Sequence, residues 1–520
     1  TGNHCPGACP IIEEVMTHHT KDTAGFYRTG RDDAERQLRF DRGTLLLEGV
    51  TELPAGLETW FCYDPRVDAY RAPANRYNDI IGPLKGELAR NKAPRYQRRE
   101  LSCALEMTPY PHQREALTAW QAAKGRGVVV LPTGAGKTLV GLLALCWARR
   151  DGLIMVPTLD LMQQWYALLR AAFPDQDIGL IGGGYHEPQP LTIATYDSAA
   201  RHIERLGDRF GLLIFDEAHH LPSEFYRAIA EFSLAPYRLG LTATPERGDG
   251  KDADLPELIG PIVYRKCPEQ LAGDVLADYQ VRQIHVDLSP TERAAYQQAL
   301  DDRNAFLQAN RLSLGSLEGW NRFVMLSARS VEGRRAMRAH RDTRRIAHAT
   351  PAKLRALGLI LANHPGAKTV IFTEDNATAY EVSQRFLIPC LTHQTAVKER
   401  QVILDHFKSG IYTAIVTSNV LNEGVDVPDA SIGVILSGSA SAREFVQRLG
   451  RILRRGDGKR AVLYEVIARE TREERVADRR RAPPDAARKA ERIEATLALF
   501  DSHPPSPKVE RDEGKSSNGT

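Results

Sequence analysis

The chain carries little net charge. Its 69 lysines and arginines nearly cancel its 66 aspartates and glutamates, leaving +3 over 520 residues. A uniformly basic polyanion-binding protein is excluded, so any grip on nucleic acid must come from local patches. Long apolar runs are also missing. The longest, Leu139 to Ala148, has ten residues, half of the roughly 20 that a membrane-crossing helix needs. No membrane role and no secretory segment are read from it. Cysteine is scarce as well: seven, an odd number, scattered along the chain. That excludes a disulfide-stapled scaffold and predicts reduced thiols in a cytoplasmic protein. His4, Cys5 and Cys9 lie close together, but no second ligand pair follows at zinc-like spacing. The chain opens on Thr1, which reads as a processed or incomplete start.

Apolar residues make up 42% of the chain, enough for large cores, and the length predicts two to four domains. Val128 to Leu131 is a continuous apolar run, as expected of a buried parallel strand. It enters Pro132-Thr133-Gly134-Ala135-Gly136-Lys137-Thr138, and Leu139 to Ala148 then reads as a helix. Strand, glycine turn and helix together form the context of a phosphate loop. Gly134 and Gly136 let backbone N–H groups face phosphates without a Cβ in the way. The helix start adds its positive dipole end. Thr133, Ala135 and Lys137 complete the cradle, and the Thr138 hydroxyl is a candidate Mg²⁺ ligand. The strict pattern G-x-x-x-x-G-K-[ST] wants glycine where this chain has Leu131.

A second apolar strand, Leu212 to Phe215, ends in Asp216-Glu217-Ala218-His219. Ligands bind at the carboxyl ends of strands in open parallel sheets. Asp216 and Glu217 are therefore read as the magnesium site, with Glu217 as the base that activates water. The bland reading of each segment is an ordinary turn. Together they predict a chain that binds and hydrolyses ATP with Mg²⁺.

The chain's organisation follows from changes in pattern. Residues 1–35 are polar and irregular, and 36–105 suggest a small module of short strands and Gly/Pro turns. Residues 106–286 alternate strand and helix, predicting an ATP-binding α/β lobe that contains the flexible Gly182-Gly183-Gly184 loop. Residues 287–349 are helical and arginine-rich. Arg334, Arg338 and Arg341 are candidate DNA contacts there, against a bland reading of a solvated face. Alternation returns over 350–480 as a second lobe. Residues 484–500 read as one amphipathic helix, and 481–520 close the chain with that helix and a disordered tail.

Asp216-Glu217-Ala218-His219 resembles the motif that names the DEAH branch of superfamily 2 helicases, and further motifs of that family follow the same order. Tyr110-Pro111-His112-Gln113 resembles the adenine-reading motif, with Gln113 able to pair with the adenine edge. Pro157, Thr158, Thr195 and Tyr196 resemble loops that grip a nucleic-acid backbone. Thr242 and Thr244 sit in a segment like the coupling motif, and His219 is implied to link the second lobe to the metal site. Asn422 to Pro428, with Gly424 and Asp426 at the nucleotide, and Gln447 to Arg454 resemble the last two motifs. Arg451 and Arg454, three apart on a helix, would share one face and act as arginine fingers, with Gln447 beside them.

Outside these motifs the resemblance is to the XPB group of DNA-repair helicases, in its bacterial and archaeal form. Leu38 to Leu45 and Tyr70 to Pro73 resemble that group's damage-recognition module, and Ser437 to Phe445 its approach to the last motif. The arginine-rich helices resemble its thumb insertion. One departure follows Thr244. The group carries an Arg-Glu-Asp triplet there, and this chain has Glu246-Arg247-Gly248-Asp249. The resemblance implies two RecA-like lobes with an N-terminal module and a thumb. It also implies an ATP-driven DNA helicase or translocase of 3′–5′ polarity in DNA repair, with room for a nuclease or repair partner. The rival readings are an RNA helicase, the motor subunit of a restriction or defence complex, and an ATP-gated DNA-binding scaffold.

Overall fold

The computed structural model describes residues 35–50, 52–86, 88–247, 249–267, 270–271, 278–315, 317–418, 430–437 and 460–481. The chain divides into two compact units. The first comprises Thr1–Arg282, His364–Ile435 and Arg443–Glu465; the second comprises Gln283–Asn363, Leu436–Ala442 and Val466–Thr520.

The first unit opens with a five-stranded sheet. Its strands are β1 (Gln37–Asp41), β2 (Thr44–Glu48), β3 (Cys62–Asp64), β4 (Ala69–Pro73) and β5 (Arg90–Asn91), in the order β3-β4-β2-β1-β5. Strands β1 to β4 pair antiparallel, and β5 runs parallel to β1. Leu38, Leu45, Leu47, Tyr77 and Ile80 form its core together with Leu234 from the next domain. The β1–β2 turn abuts Phe232, and Gly43 (φ +83°) is needed there because a Cβ would lie 2.6 Å from the Phe232 ring.

An eight-stranded sheet follows. Its strands are β6 (Arg126–Val130), β7 (Gly152–Val156), β8 (Ile178–Gly182), β9 (Tyr185–Glu187), β10 (Leu191–Thr195), β11 (Leu212–Asp216), β12 (Tyr237–Thr242) and β13 (Ile262–Arg265). The order is β13-β6-β12-β11-β7-β10-β8-β9. Every pairing is parallel except β8–β9. Helices cover both faces, so β7, β10 and β11 are buried along their whole length and are dominated by apolar residues. The helices that matter for the site are α1 (Pro111–Ala122), α2 (Lys137–Ala148), α3 (Leu159–Ala172) and α4 (Tyr196–Leu206).

The third sheet holds β14 (Asp278–Val286), β15 (Thr369–Phe372), β16 (Cys390–Leu391), β17 (Ala414–Thr417), β18 (Ile432–Ile435) and β19 (Arg460–Ala468), in the order β14-β19-β18-β15-β17-β16. The alternation of the sequence assigns residues 278–286 to the preceding lobe. They form an edge strand of this sheet instead, because β19 offers the pairing partner.

In the second unit, α5 (Pro290–Ala309), α6 (Leu317–Arg329) and α7 (Val331–His348) form a helical group. Ser289 and Glu292 close α5 with a reciprocal capping box. The α7 stripe Ala336, Ala339, His340, Thr343 and Ala347 is buried, and its arginines lie on the outer faces. No helix among the described residues is long and apolar enough to cross a membrane.

Candidate nucleotide site and strand-end loops

Parallel pairing brings the carboxyl ends of β6, β12, β11, β7 and β10 to one edge of the sheet. At that edge lie Thr242, Asp216 and Thr195, the last residues of their strands, with Lys137 and Thr158 beyond the ends of β6 and β7.

The phosphate loop turns on Gly134 (φ +87°) and Gly136 (φ +77°), both in the left-handed region that glycine adopts at little cost. Leu131 needs no such freedom. It continues the β6 ladder, its N–H donating to Thr242 O at 3.0 Å, and its carbonyl accepts from Lys137 Nζ at 3.3 Å. That explains why the strict pattern's first glycine is dispensable here. Ala135 is buried, and the buried Thr133 Oγ1 has no hydrogen-bond partner among the described residues. Thr138 occupies the first turn of α2.

Gln113 does more than the sequence indicates. Its Oε1 accepts from Tyr110 N at 2.9 Å, and its Nε2 donates to Ala135 O at 3.0 Å. His112 Nε2 lies 2.8 Å from the same Ala135 carbonyl. The start of α1 is thus tied to the cradle itself.

Asp216 is buried at the end of β11. Its Oδ2 accepts from the Trp165 indole at 2.8 Å, and its Oδ1 from Glu217 N at 3.0 Å. Burial, and then the neighbouring Glu217, push its carboxyl up to about 6, while Trp165 and Lys137 pull the other way. Glu217 sits at φ +50°, a conformation that is strained for a residue with a Cβ. Its buried Oε2 makes no hydrogen bond among the described residues and lies 3.5 Å from His219 Nδ1. His219 Nδ1 lies 3.1 Å from Thr242 Oγ1, which in turn accepts from Thr244 N at 3.2 Å. The three residues read as coupling elements therefore form one chain of contacts.

Two strand ends feed helices capped by threonine. Thr158 Oγ1 accepts from Leu161 N, and Thr195 Oγ1 from Ser198 N, each at 3.3 Å. The remaining N–H groups of these helix starts face the same edge as the phosphate loop and suit an anion. Pro157 immediately precedes the first cap. Tyr196 departs from expectation. The sequence reading places it among the DNA contacts, but it is 2% exposed and its hydroxyl donates to Asp216 O at 3.0 Å. Being the first residue of α4, it points inward to the carboxylate strand.

Three stretches of the chain match known families. Residues 38–90 match the xeroderma pigmentosum group B helicase damage recognition domain. Residues 106–247 match the type III restriction enzyme res subunit, and 352–456 the helicase conserved C-terminal domain. The DNA 3′-5′ translocase XPB2 of Sulfurisphaera tokodaii is 40% identical over 447 residues, which is 85% of this chain and 99% of that protein. The chain belongs to the XPB group of helicases. The DNA 3′-5′ helicase XPB of Mycobacterium tuberculosis is 32% identical over 69% of this chain and 60% of its own length. In fold, the Hef helicase domain of Pyrococcus furiosus aligns at TM-score 0.51 and 20% identity, covering 71% of this chain and 97% of its own.

Reading this XPB-group chain by sequence missed several residues. Trp165 carries no motif and lies 51 positions from the carboxylate it holds. In sequence, Arg247 stands only in the stretch Glu246-Arg247-Gly248-Asp249 that departs from the group's triplet. Its guanidinium grips Asp249 through two bonds of 2.9 and 2.8 Å and donates to His219 O at 2.5 Å. The loop behind Thr242 and Thr244 is thereby fastened to the His219 carbonyl. In the second unit, Arg334, Arg338 and Arg341 all lie exposed on α7. Arg335, beside them, is occupied by Asp302 at 2.9 Å. Gly424, Asp426, Gln447, Arg451 and Arg454 lie outside the described residues.

Proposed function

We propose that this chain is an ATP-driven motor that moves 3′–5′ on DNA and opens or remodels it during repair. The observation that carries the reading is the grouping of Lys137 with Asp216 and Glu217 at one sheet edge, in a chain of the XPB group. The printed names of its relatives, DNA 3′-5′ translocase and helicase, supply the substrate and polarity. The match to a restriction subunit covers the first lobe alone, and the damage-recognition match at 38–90 favours repair.

ATP would lie against the loop from Thr133 to Thr138, with Lys137 released from Leu131 O to the β- and γ-phosphates. A buried carboxylate whose ionisation is opposed by burial and by a second acid suits a divalent cation. Thr138 and Asp216 would hold Mg²⁺, which neutralises phosphate oxygens. Glu217 would take the proton of the attacking water through Oε2, which makes no hydrogen bond among the described residues. Gly424 and Asp426 would meet the ribose side of the nucleotide. Gln447, Arg451 and Arg454 would answer the charge that develops as the γ-phosphoryl group leaves. His219, Thr242 and Thr244 would pass the nucleotide state to the capped helix starts behind Thr158 and Thr195. Arg334, Arg338 and Arg341 would add phosphate contacts. A cytoplasmic location and a nuclease or repair partner accord with this role.

The test is ATP hydrolysis with no nucleic acid and with single-stranded, duplex and forked DNA or RNA, beside Lys137→Ala. DNA stimulation that disappears in the variant supports the motor. Stimulation by RNA alone, or none at all, overturns it.

A further inference from the structure

Strand β8, next to β10, ends in a turn that the motifs discussed above leave without a role. Strands β7, β10 and β8 are consecutive neighbours and parallel, so their carboxyl ends form a row. The first two ends carry Thr158 and Thr195. The third carries Gly182, Gly183 and Gly184, and the chain then doubles back as β9 with Gly182 paired to Tyr185.

This turn is seated closely on both neighbouring loops at Gly182 and Gly183, while a Cβ on Gly184 would meet open space. Gly183 and Gly184 have φ of +60° and +94°, the two left-handed positions of a type I′ hairpin turn. A Cβ on Gly183 would lie 2.9 Å from Leu159, and one on Gly182 would lie 3.0 Å from Thr195 Oγ1 and 3.3 Å from Ser198 Oγ. The hairpin therefore presents bare backbone flush with the capped helix starts. Directly after it, Tyr185 is 50% exposed, and Leu159, across the turn, is 47% exposed. On the opposite face of β9, His186 packs against His202 of α4 at a ring distance of 4.4 Å. Asp160, at the start of α3, is paired with Arg400 at 2.9 Å, so its negative charge is answered.

A half-exposed aromatic beside an apolar side chain, at the end of a row of amide-rich loops, offers a stacking face for an unpaired base. We propose that Tyr185, supported by Leu159 on the Gly182–Gly184 turn, stacks on a nucleobase of a single DNA strand that crosses the strand ends behind Thr158 and Thr195. The inference rests on the motor reading, and it specifies that strand as unpaired at this point. A base inside a duplex is already stacked on its neighbours and offers no free face. The contact therefore distinguishes single-stranded from blunt duplex DNA and ignores sequence, since every base has a π-face.

The test is direct binding of fluorescein-labelled oligo-dT and of a blunt duplex to the full chain, without nucleotide, by anisotropy. Tyr185→Ala is expected to weaken oligo-dT binding roughly five- to 150-fold and to leave the duplex unchanged. Tyr185→Phe, which keeps the ring, is expected to bind as the parent does. The thermal midpoint should not move, because the side chain is half in solvent. Equal losses on both DNAs, no loss on either, or failure of Tyr185→Phe to restore binding would each overturn the proposal while leaving the motor intact. A parent protein that binds neither DNA would remove the motor reading and this contact together.

Discussion

The Trp165 indole N–H donates to Oδ2 of Asp216 at 2.8 Å. This bond fixes the carboxylate's orientation and favours its charged form against burial. Trp165→Phe keeps the ring's packing and deletes the donor, which leaves a buried oxygen unsatisfied at a cost of about 1–3 kcal/mol. The expected outcome is slower ATP turnover and a several-fold higher Mg²⁺ concentration at half-maximal rate. A titration of turnover against Mg²⁺ checks it, and an unchanged curve would count against the role.

Glu217 is held in a left-handed backbone conformation, with its buried Oε2 3.5 Å from His219 Nδ1. Glu217→Gln removes the proposed base and preserves the shape. Turnover should fall by about 10²- to 10⁴-fold, while a fluorescent ATP analogue still binds. Loss of nucleotide binding along with turnover would point to a structural role instead.

Tyr196 joins two strand ends through its bond to Asp216 O. Tyr196→Phe is expected to cost about 1 kcal/mol of stability, seen as a lower denaturant midpoint, with no change in DNA affinity. A drop in affinity at unchanged stability would restore Tyr196 to the DNA-binding set.

His340 is buried on α7 against Trp320, at a ring distance of 5.2 Å. Burial first, and then Arg303, Arg344, Arg472 and Arg341, hold its imidazole down to about 4 from an ordinary 6.5. A histidine with a depressed folded value is neutral in the fold and charges more readily when unfolded. Its contribution to stability is therefore complete above about 6.5 and is lost as pH falls towards 4. Thermal melts at neutral and mildly acidic pH should show a smaller acid-induced drop in His340→Gln than in the parent. Equal drops would mean that His340 does not titrate in this window.

The chain's chemistry was legible in its sequence because that chemistry is local. An apolar strand, a glycine turn and a lysine at the helix start lie within a few residues, and each carries its own backbone demand. The acid pair behind a second apolar strand is equally compact. The site residues beyond the described part of the second lobe rest on the same kind of local pattern.

Tertiary structure decided which way side chains turn and whom they meet. Tyr196 reads as a loop residue beside Thr195, yet the first position of α4 turns it inward to Asp216. Trp165 reads as core filler, but the β11–β7 pairing and the α3 crossover bring its indole to the carboxylate. Gln113 reads as an adenine contact, yet it clasps Ala135 at 22 positions' remove. The alignment of Thr158, Thr195 and Gly183 in one row depends on the order β7-β10-β8, which no local pattern encodes. Sequence periodicity tells a strand from a helix. The neighbours of each strand are chosen by packing across segments far apart in the chain, and so that part of the site became visible only once the chain was folded.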